Sequence, residues 1–153
     1  MSNASKSQKL SYAYELYIAA PVARVWDGLF ERDVPLPFMF DTKLAGSLRK
    51  NSAYSYVGEG EFKVVDGKVL EVIPHSKIVM TWSAHWGDAE NADRPSRVTY
   101  QLSAVAKDVT RVELLHDDFD GETATYAGST AAWPRMLCSF KSLLETGSAM
   151  AVA

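Results

Sequence analysis

Hydrophobic and polar residues alternate over several stretches of the chain, and this two-residue period is typical of half-buried β-strands. The clearest run covers residues 98–104, where Val, Tyr, Leu and Ala alternate with Thr, Gln and Ser. Five further strands are predicted, at residues 10–18, 53–57, 61–73, 78–83 and 109–116. Inside the third of these, Asp66-Gly67 indicates either a hairpin turn or a bulge in one long strand.

Two stretches instead repeat hydrophobic residues at the three- and four-residue spacing of an amphipathic helix. The first covers residues 21–30 and begins with Pro21, which suits the first turn of a helix. The second carries a stripe of large residues, namely Trp133, Met136, Leu137, Phe140, Leu143 and Leu144. Asp120 is predicted to cap this helix and Gly147 to end it. Because Pro134 removes a backbone hydrogen bond, the tail is either one kinked helix or two helices that divide near residue 131.

The connections between these elements differ in polarity. Residues 33–37 contain two prolines and are predicted to be irregular, and residues 86–96 form a polar loop. Phe38, Met39 and Phe40 form an apolar cluster within a connection. A solvated loop rarely carries such a cluster, so it is expected to fold back over another apolar surface.

The order of strand, helix, about six strands and helix indicates an α+β domain. Consecutive strands joined by short turns pair antiparallel, and the helices must cover one face of the sheet. The 153 residues fit one domain, which we expect to span residues 10–147. Residues 1–9 are small and polar, and Ser2-Asn3-Ala4 is typical of an expression-vector remnant, so these residues are predicted to be a disordered or vector-derived tail.

Composition narrows the possible functions. The net charge of −3 without any run of Lys or Arg argues against nucleic-acid binding and against an electrostatic membrane anchor. The single Cys138 allows no intrachain disulfide. No apolar run reaches membrane-spanning length and no signal-peptide pattern opens the chain, so a cytoplasmic location is expected. His75, His85 and His116 have no metal-ligand spacing, so neither a metal nor a cofactor is expected.

Four segments together resemble a known family. They are residues 20–26 (APVARVW), residues 66–72 (DGKVLEV) with Pro74 and residues 80–82 (MTW), residues 114–116 (LLH) with Phe119, and residues 133–134 (WP) with residues 140–147 (FKSLLETG). In this order they resemble the activator of heat-shock-protein-90 ATPase homologue-like domains, within the START-related SRPBCC superfamily. The resemblance extends over residues 14–147, and none of the segments is a catalytic signature.

The resemblance implies a helix-grip fold, in which a curved antiparallel sheet of about six or seven strands wraps a long C-terminal helix and leaves a cavity. It does not imply one activity, because relatives bind lipids, hormones or polyketides and some are catalysts. The chain departs from the family pattern at Asn51, where Gly is common before the second strand. Since Asn tolerates positive φ, the turn is expected to survive.

Seven residues are candidate ligand contacts. Five lie on the predicted inward faces, namely Trp82, Tyr100, His116, Trp133 and Phe140. Phe38 and Phe40 are candidates for a lid over the cavity or for an interface patch. The alternative for each inward aromatic residue is ordinary core packing.

His116 is the best candidate for a catalytic group. It shares a face with Val112 and Leu114, which is the predicted buried face. A neutral imidazole at this position can serve as a general base or bind a ligand, or it can be a core histidine with satisfied hydrogen bonds. Asp117 points to the opposite face of the strand, so the two residues form no ready dyad.

Three functions compete at this point. The first is binding of a hydrophobic or aromatic small molecule in the cavity. The second is a cyclase or dehydratase with His116 as base and Tyr100 or an acid in the pocket assisting. The third, implied by the family resemblance, is stimulation of a heat-shock ATPase, although the chain has no room for the additional N-terminal domain of the eukaryotic activator. A homodimer through a sheet edge or through the Phe38 to Phe40 cluster is also possible.

Overall fold

One antiparallel sheet of eight strands is the main element of the computed structural model, which describes residues 10–152. The strands are β1 (Tyr12–Ile18), β2 (Pro35–Leu36), β3 (Thr42–Gly46), β4 (Ala53–Val57), β5 (Lys63–Ile73), β6 (Lys77–Ala84), β7 (Ser96–Ala106) and β8 (Val109–Asp117). Their order in the sheet is β1-β8-β7-β6-β5-β4-β3-β2, so all pairs except β1–β8 join consecutive strands. The predicted tail of residues 1–9 lies outside the described residues.

Among residues 10–152, three α-helices accompany the sheet, namely α1 (Val22–Leu29), α2 (Asp88–Asn91) and α3 (Ala124–Thr146), and two short 3-10 helices span Pro37–Met39 and Glu59–Glu61. The long α3 buries Trp133, Leu137 and Phe140 completely against the curled sheet. The predicted helix-grip fold is therefore confirmed. Within residues 10–152, no helix combines the length and the apolar character that a membrane crossing requires.

The sheet has more strands than predicted because the segment after α1 contributes two. β2 lies in the region predicted to be irregular, and its Pro35 is tolerated because β2 is an edge strand that needs no N–H on its open side. β3 carries only Leu44 as a large buried residue and therefore lacks a recognisable alternation. The predicted loop of residues 86–96 also contains the short α2.

The Asp66-Gly67 pair lies inside one continuous strand, β5, and is neither a hairpin turn nor the bulge. The register irregularity between β5 and β6 falls between Val69 and Glu71. Gly67 is required for another reason, because a Cβ at this position would collide with the carbonyl oxygen of Thr81 on β6. Asn51 adopts a φ of 70°, so Asn accommodates the turn as expected.

The ends of α3 only partly match the sequence prediction. Thr123 is the N-cap residue, and its side chain accepts a hydrogen bond from Tyr126 N at 3.1 Å. The prediction of Asp120 as the cap is wrong, because that residue lies three positions too early. The helix continues through Pro134 as one element and ends at Gly147, whose φ of 86° is the predicted left-handed C-cap.

A chain of hydrogen bonds crosses the core from α3 to the sheet. Trp133 Nε1 donates to His116 Nδ1 at 3.0 Å. Since Nδ1 accepts, Nε2 of the neutral ring carries the proton and donates to Ser96 Oγ at 2.8 Å. Ser96 Oγ in turn donates to the carbonyl oxygen of Trp82 at 3.3 Å. Burial lowers the pKa of His116 to about 3, and the Asp117 carboxylate opposes this only in part, so the imidazole is neutral at pH 7.

The cap assignment makes a direct prediction about stability. Thr123→Ala is expected to lower the free energy of unfolding by about 1 kcal/mol, because one amide of the first turn loses its acceptor. Asp120→Ala is expected to cost less than about 0.5 kcal/mol, since the side chain is exposed and only reaches Arg94 at 4.0 Å. Urea unfolding of both variants measures the difference. Equal losses would contradict the assignment.

The buried His116 makes the free energy of unfolding depend on pH. His116 has a lower pKa in the folded chain than in the unfolded chain, so its contribution is complete above about pH 6.5 and is lost as pH falls toward 3. Between pH 7 and pH 5, protonation of this one residue in the unfolded chain is expected to lower the free energy of unfolding by about 2 kcal/mol. In His116→Gln this loss is absent, whereas the exposed-turn control His75→Asn retains it. Urea unfolding at both pH values tests this, and an unchanged pH dependence in His116→Gln would refute it.

Candidate functional site: an apolar cavity under the C-terminal helix

A cavity of about 430 Å³ lies between α3 and the half of the sheet formed by β3 to β6. Its lining residues are Met39, Phe40, Thr42, Tyr56, Val64, Val65, Trp82, Trp86, Gly128, Ser129, Ala132, Trp133 and Met136. A volume of this size falls within the range typical of small-molecule sites. The wall is almost wholly apolar, with three Trp rings and two Met side chains among its members.

The periodicity of each element brings these side chains together. On the sheet, Tyr56, Val65 and Trp82 are inward-facing residues of neighbouring strands. On α3, the lining positions 128, 129, 132, 133 and 136 follow the spacing of one helical face. Three of these five positions carry Gly, Ser or Ala. Small residues on the helix therefore face large rings on the sheet, and the space between them is the cavity.

Two half-exposed aromatic residues stand at the mouth of the cavity. Phe40 is 49% exposed and Trp86 is 44% exposed, although both contribute to the wall. The Trp86 ring lies over Gly128, where a Cβ would sit 3.5 Å from the ring. This is an ordinary van der Waals distance, so the Trp86 ring packs over the helix at this position without depending on glycine.

The segment that carries Trp86 is held at both ends. At one end, His85 Nε2 lies 2.9 Å from Asp66 Oδ1 and His85 Nδ1 lies 2.5 Å from Asn91 Oδ1. Burial alone would lower the pKa of His85, but its bonds to Asp66 and Asn91 outweigh burial and raise it. At the other end, Asp93 Oδ2 accepts from the amide and hydroxyl of Thr125 at 2.9 and 2.7 Å. These bonds connect the segment to β5 and to the first turn of α3.

The cavity has no charged wall. Among the described residues, those that line it include no Asp, Glu, Lys, Arg or His. Burial raises the pKa of the Tyr56 hydroxyl, which is therefore neutral at pH 7. Within residues 10–152, no group of three His, Cys, Asp or Glu side chains is arranged to hold a metal ion. The site can exclude water and bind apolar surface, but it supplies no ionised group.

The seven sequence candidates divide between wall and packed core. Phe40, Trp82 and Trp133 belong to the wall. Phe38 is buried and packs against Phe140, with ring centroids 4.7 Å apart. A lid role for Phe38 is therefore wrong, because its ring lies under the helix.

Tyr100 and His116 lie behind the wall, among other core side chains. Tyr100 packs edge-on against Phe30, with centroids 5.3 Å apart, and is fully buried. Both ring nitrogens of His116 are engaged by Trp133 and Ser96. A general base needs a free nitrogen lone pair within reach of the substrate, and His116 offers neither. The geometry contradicts the proposed roles of His116 as base and Tyr100 as its assistant.

Sequence reasoning missed ten of the wall residues. Tyr56 and Met136 carried a usable signal, because one lies on an alternating strand and the other on the helical stripe. The same helix face also carries Gly128, Ser129 and Ala132. Residues this small contribute little to a hydrophobic periodicity, so the pattern does not reveal them. Trp86 carried no signal, since a single aromatic residue in a polar loop is usually a surface residue.

The fold is similar to several solved structures. The Aha1 dimer from Colwellia psychrerythraea matches with a TM-score of 0.70 and 20% identity, covering 90% of this chain and 98% of that one. PFC0360w, an HSP90 activator from Plasmodium falciparum, matches with a TM-score of 0.69 and 16% identity, covering 88% and 96%. CalU16 from Micromonospora echinospora matches with a TM-score of 0.65 and 20% identity, covering 84% and 72%. At these identities the likeness concerns the fold alone.

The sequence comparisons give a family. A search of curated proteins finds no significant match. The profile of the family described as Activator of Hsp90 ATPase homolog 1-like protein matches residues 19–145, which is most of the chain. The fold comparison and the family profile therefore agree. The chain belongs to the Activator of Hsp90 ATPase homolog 1-like family.

Proposed function

We propose that this chain binds a small, mainly apolar molecule in the cavity between α3 and the sheet. The observation that carries the proposal is a cavity of about 430 Å³ whose wall contains no charged side chain among the described residues. Transfer of apolar ligand surface from water into such a site is favourable by about 25 cal/mol per Å². Members of the wider superfamily bind hydrophobic ligands, which supports the same function.

The ring arrangement favours a flat, aromatic ligand. The Trp82 and Trp133 rings pack together with centroids 5.3 Å apart, and both belong to the wall. Trp82 also packs against Tyr56, with centroids 6.0 Å apart. Aromatic pairs prefer such separations in offset or edge-on contacts, so an aromatic ligand finds ring faces and edges already in place. Because these rings are packed together, little ordering entropy opposes binding.

The proposal predicts that filling the cavity abolishes binding. Ala132→Phe places a large side chain in the wall of the cavity and is expected to weaken the affinity for any bound ligand at least about tenfold. Wild-type protein and variant are screened with fatty acids, sterols and aromatic metabolites by melting temperature and native mass spectrometry. A bound ligand stabilises the wild type by RT ln(1 + [L]/Kd), so its melting temperature rises with the ligand concentration.

The matched control is Ala131→Phe, the same substitution one position earlier. Ala131 is exposed and does not belong to the cavity wall. This variant is expected to keep the ligand-dependent rise in melting temperature. The proposal fails if no compound across the panel stabilises the wild type, or if both variants respond to ligand alike.

Regulation of a heat-shock ATPase is a second candidate. The family description and the Plasmodium falciparum relative described as an HSP90 activator favour it. It ranks second because it rests on these descriptions alone, whereas ligand binding rests on the geometry of the cavity. With purified Hsp90 we expect neither capture in a pull-down nor a faster ATPase rate. A reproducible stimulation would instead make this the primary function.

Self-association is compatible with either function. β1 and β2 are the two edge strands of the sheet, and an edge strand can pair with that of another copy. The Colwellia psychrerythraea relative is described as a dimer. We propose the homodimer on this basis only, and the cavity wall needs no residue from a second copy.

A further inference from the structure

The connection between β6 and β7 is held differently from the rest of the site. Ala84 and Ser96 at its two ends are buried, but none of residues 85–95 is buried. Segments with few buried contacts open locally at little cost in free energy, whereas buried strands open only together with the fold. Residues 86–95, the gate segment, are therefore kept in place by hydrogen bonds and surface packing rather than by the core.

Both ends of the gate segment are fixed to the sheet. His85, directly before it, donates its backbone N–H to the carbonyl oxygen of Val64 at 2.8 Å. The His85 imidazole lies 2.9 Å from Asp66 Oδ1 on β5, and its other nitrogen contacts Asn91 next to this fixed end. At the far end, the buried Ser96 begins β7. A movement of the segment is therefore confined to the residues between these two points.

One carboxylate connects the gate segment to α3. Asp93 Oδ2 accepts hydrogen bonds from Thr125 N at 2.9 Å and from Thr125 Oγ1 at 2.7 Å. Thr125 lies in the first turn of α3, where the helix dipole favours a negative charge. The ion pairs from Arg94 to Asp118 and Asp120 join exposed side chains at 3.7 and 4.0 Å and add little. The contact of Asp93 with Thr125 is therefore the latch of the segment.

The gate segment contacts the cavity through a single ring. Trp86 is its only residue among those that line the wall, and this residue stands half-exposed at the mouth. The Trp86 ring packs over Gly128 on α3. A swing of the segment about its fixed ends would carry this ring away from the helix. The mouth would then widen while the buried part of the wall, such as Trp82 and Trp133, stayed in place.

We propose that residues 86–95 gate the cavity: when Asp93 releases Thr125, the segment swings out with Trp86, a ligand enters or leaves, and the latch closes again. The inference rests on the proposed binding function and deepens it by naming how the same site is opened. The competing explanation is a segment that only shapes a permanently open mouth. In that case the latch affects the affinity for a ligand without raising its association and dissociation rates together.

Binding kinetics of an uncharged aromatic probe test the gate. The probe is N-phenyl-1-naphthylamine, whose fluorescence rises in apolar surroundings, and its rate constants are measured by stopped flow. In Asp93→Ala both the association and the dissociation rate constants are expected to rise about tenfold, because the charge-assisted bonds of the closed state are lost. Kd is expected to change less than about threefold, since the latch holds the segment in the free and the bound protein alike.

Three further variants separate the latch from other effects of the substitution. Asp88→Ala removes an exposed carboxylate of the same segment that takes no part in the latch. Thr123→Ala removes the N-cap bond of α3 but keeps both latch residues. Both are expected to retain the wild-type rate constants. Asp93→Asn keeps an acceptor oxygen without the charge and is expected to raise both rate constants by a smaller factor, so it decides the question should Asp93→Ala not fold.

Each other outcome overturns a specific statement. Unchanged rate constants in the Asp93 variants refute the gate, while the cavity remains a binding site. A faster dissociation alone, with Kd weakened by the same factor, shows that Asp93 shapes the mouth and likewise refutes the gate. Equal acceleration in Thr123→Ala assigns the effect to the stability of α3 and refutes the latch. If neither the probe nor any compound of the screening panel binds the wild type, the proposed function itself fails.

Discussion

The bond from Trp133 to His116 is the interaction on which the rest of the interior depends. It joins the long helix to the sheet through two buried side chains, and it fixes which imidazole nitrogen carries the proton. That proton then binds Ser96, whose hydroxyl reaches the carbonyl oxygen of Trp82. The relay therefore orients Trp133 from the helix side and fixes the Trp82 backbone from the sheet side. Because these two residues belong to the cavity wall, a structural network in the core orients part of the site.

This network also separates the interior into two unequal parts. Behind it, Tyr100 on β7 and Phe30 are buried and pack edge-on, with ring centroids 5.3 Å apart. In front of it, α3 presents Gly128, Ser129 and Ala132 to the sheet. Packed interiors normally fill such gaps, since each missing contact forfeits dispersion energy. A run of small residues opposite large rings leaves space that packing alone would not favour, which indicates a region open to an additional occupant.

The sequence predicts the elements well but the cavity poorly, for a physical reason. Periodicity places Trp82 and Trp133 on inward faces, and both do line the cavity. Yet periodicity cannot distinguish a filled interior from an empty one, because that depends on the size of the residue opposite. Phe38 and Phe40 show the limit: they are two residues apart, but the first is buried and the second turns outward through a φ of 57°. Trp86 lies at the mouth on a segment whose ends are held by the bonds of His85 to Asp66 and of Thr125 to Asp93, which no local pattern encodes.

Trp82 belongs both to the hydrogen-bond network of the core and to the cavity wall. Its carbonyl oxygen ends the relay from His116, while its indole nitrogen has no partner among residues 10–152. A donor left unpaired in an apolar wall lowers stability, and proteins tolerate such a cost mainly where function requires it. Ser129 adds a second polar atom of the same kind on the facing helix. Since the wall has no charge, its apolar surface and its shape are what a molecule entering the cavity would meet.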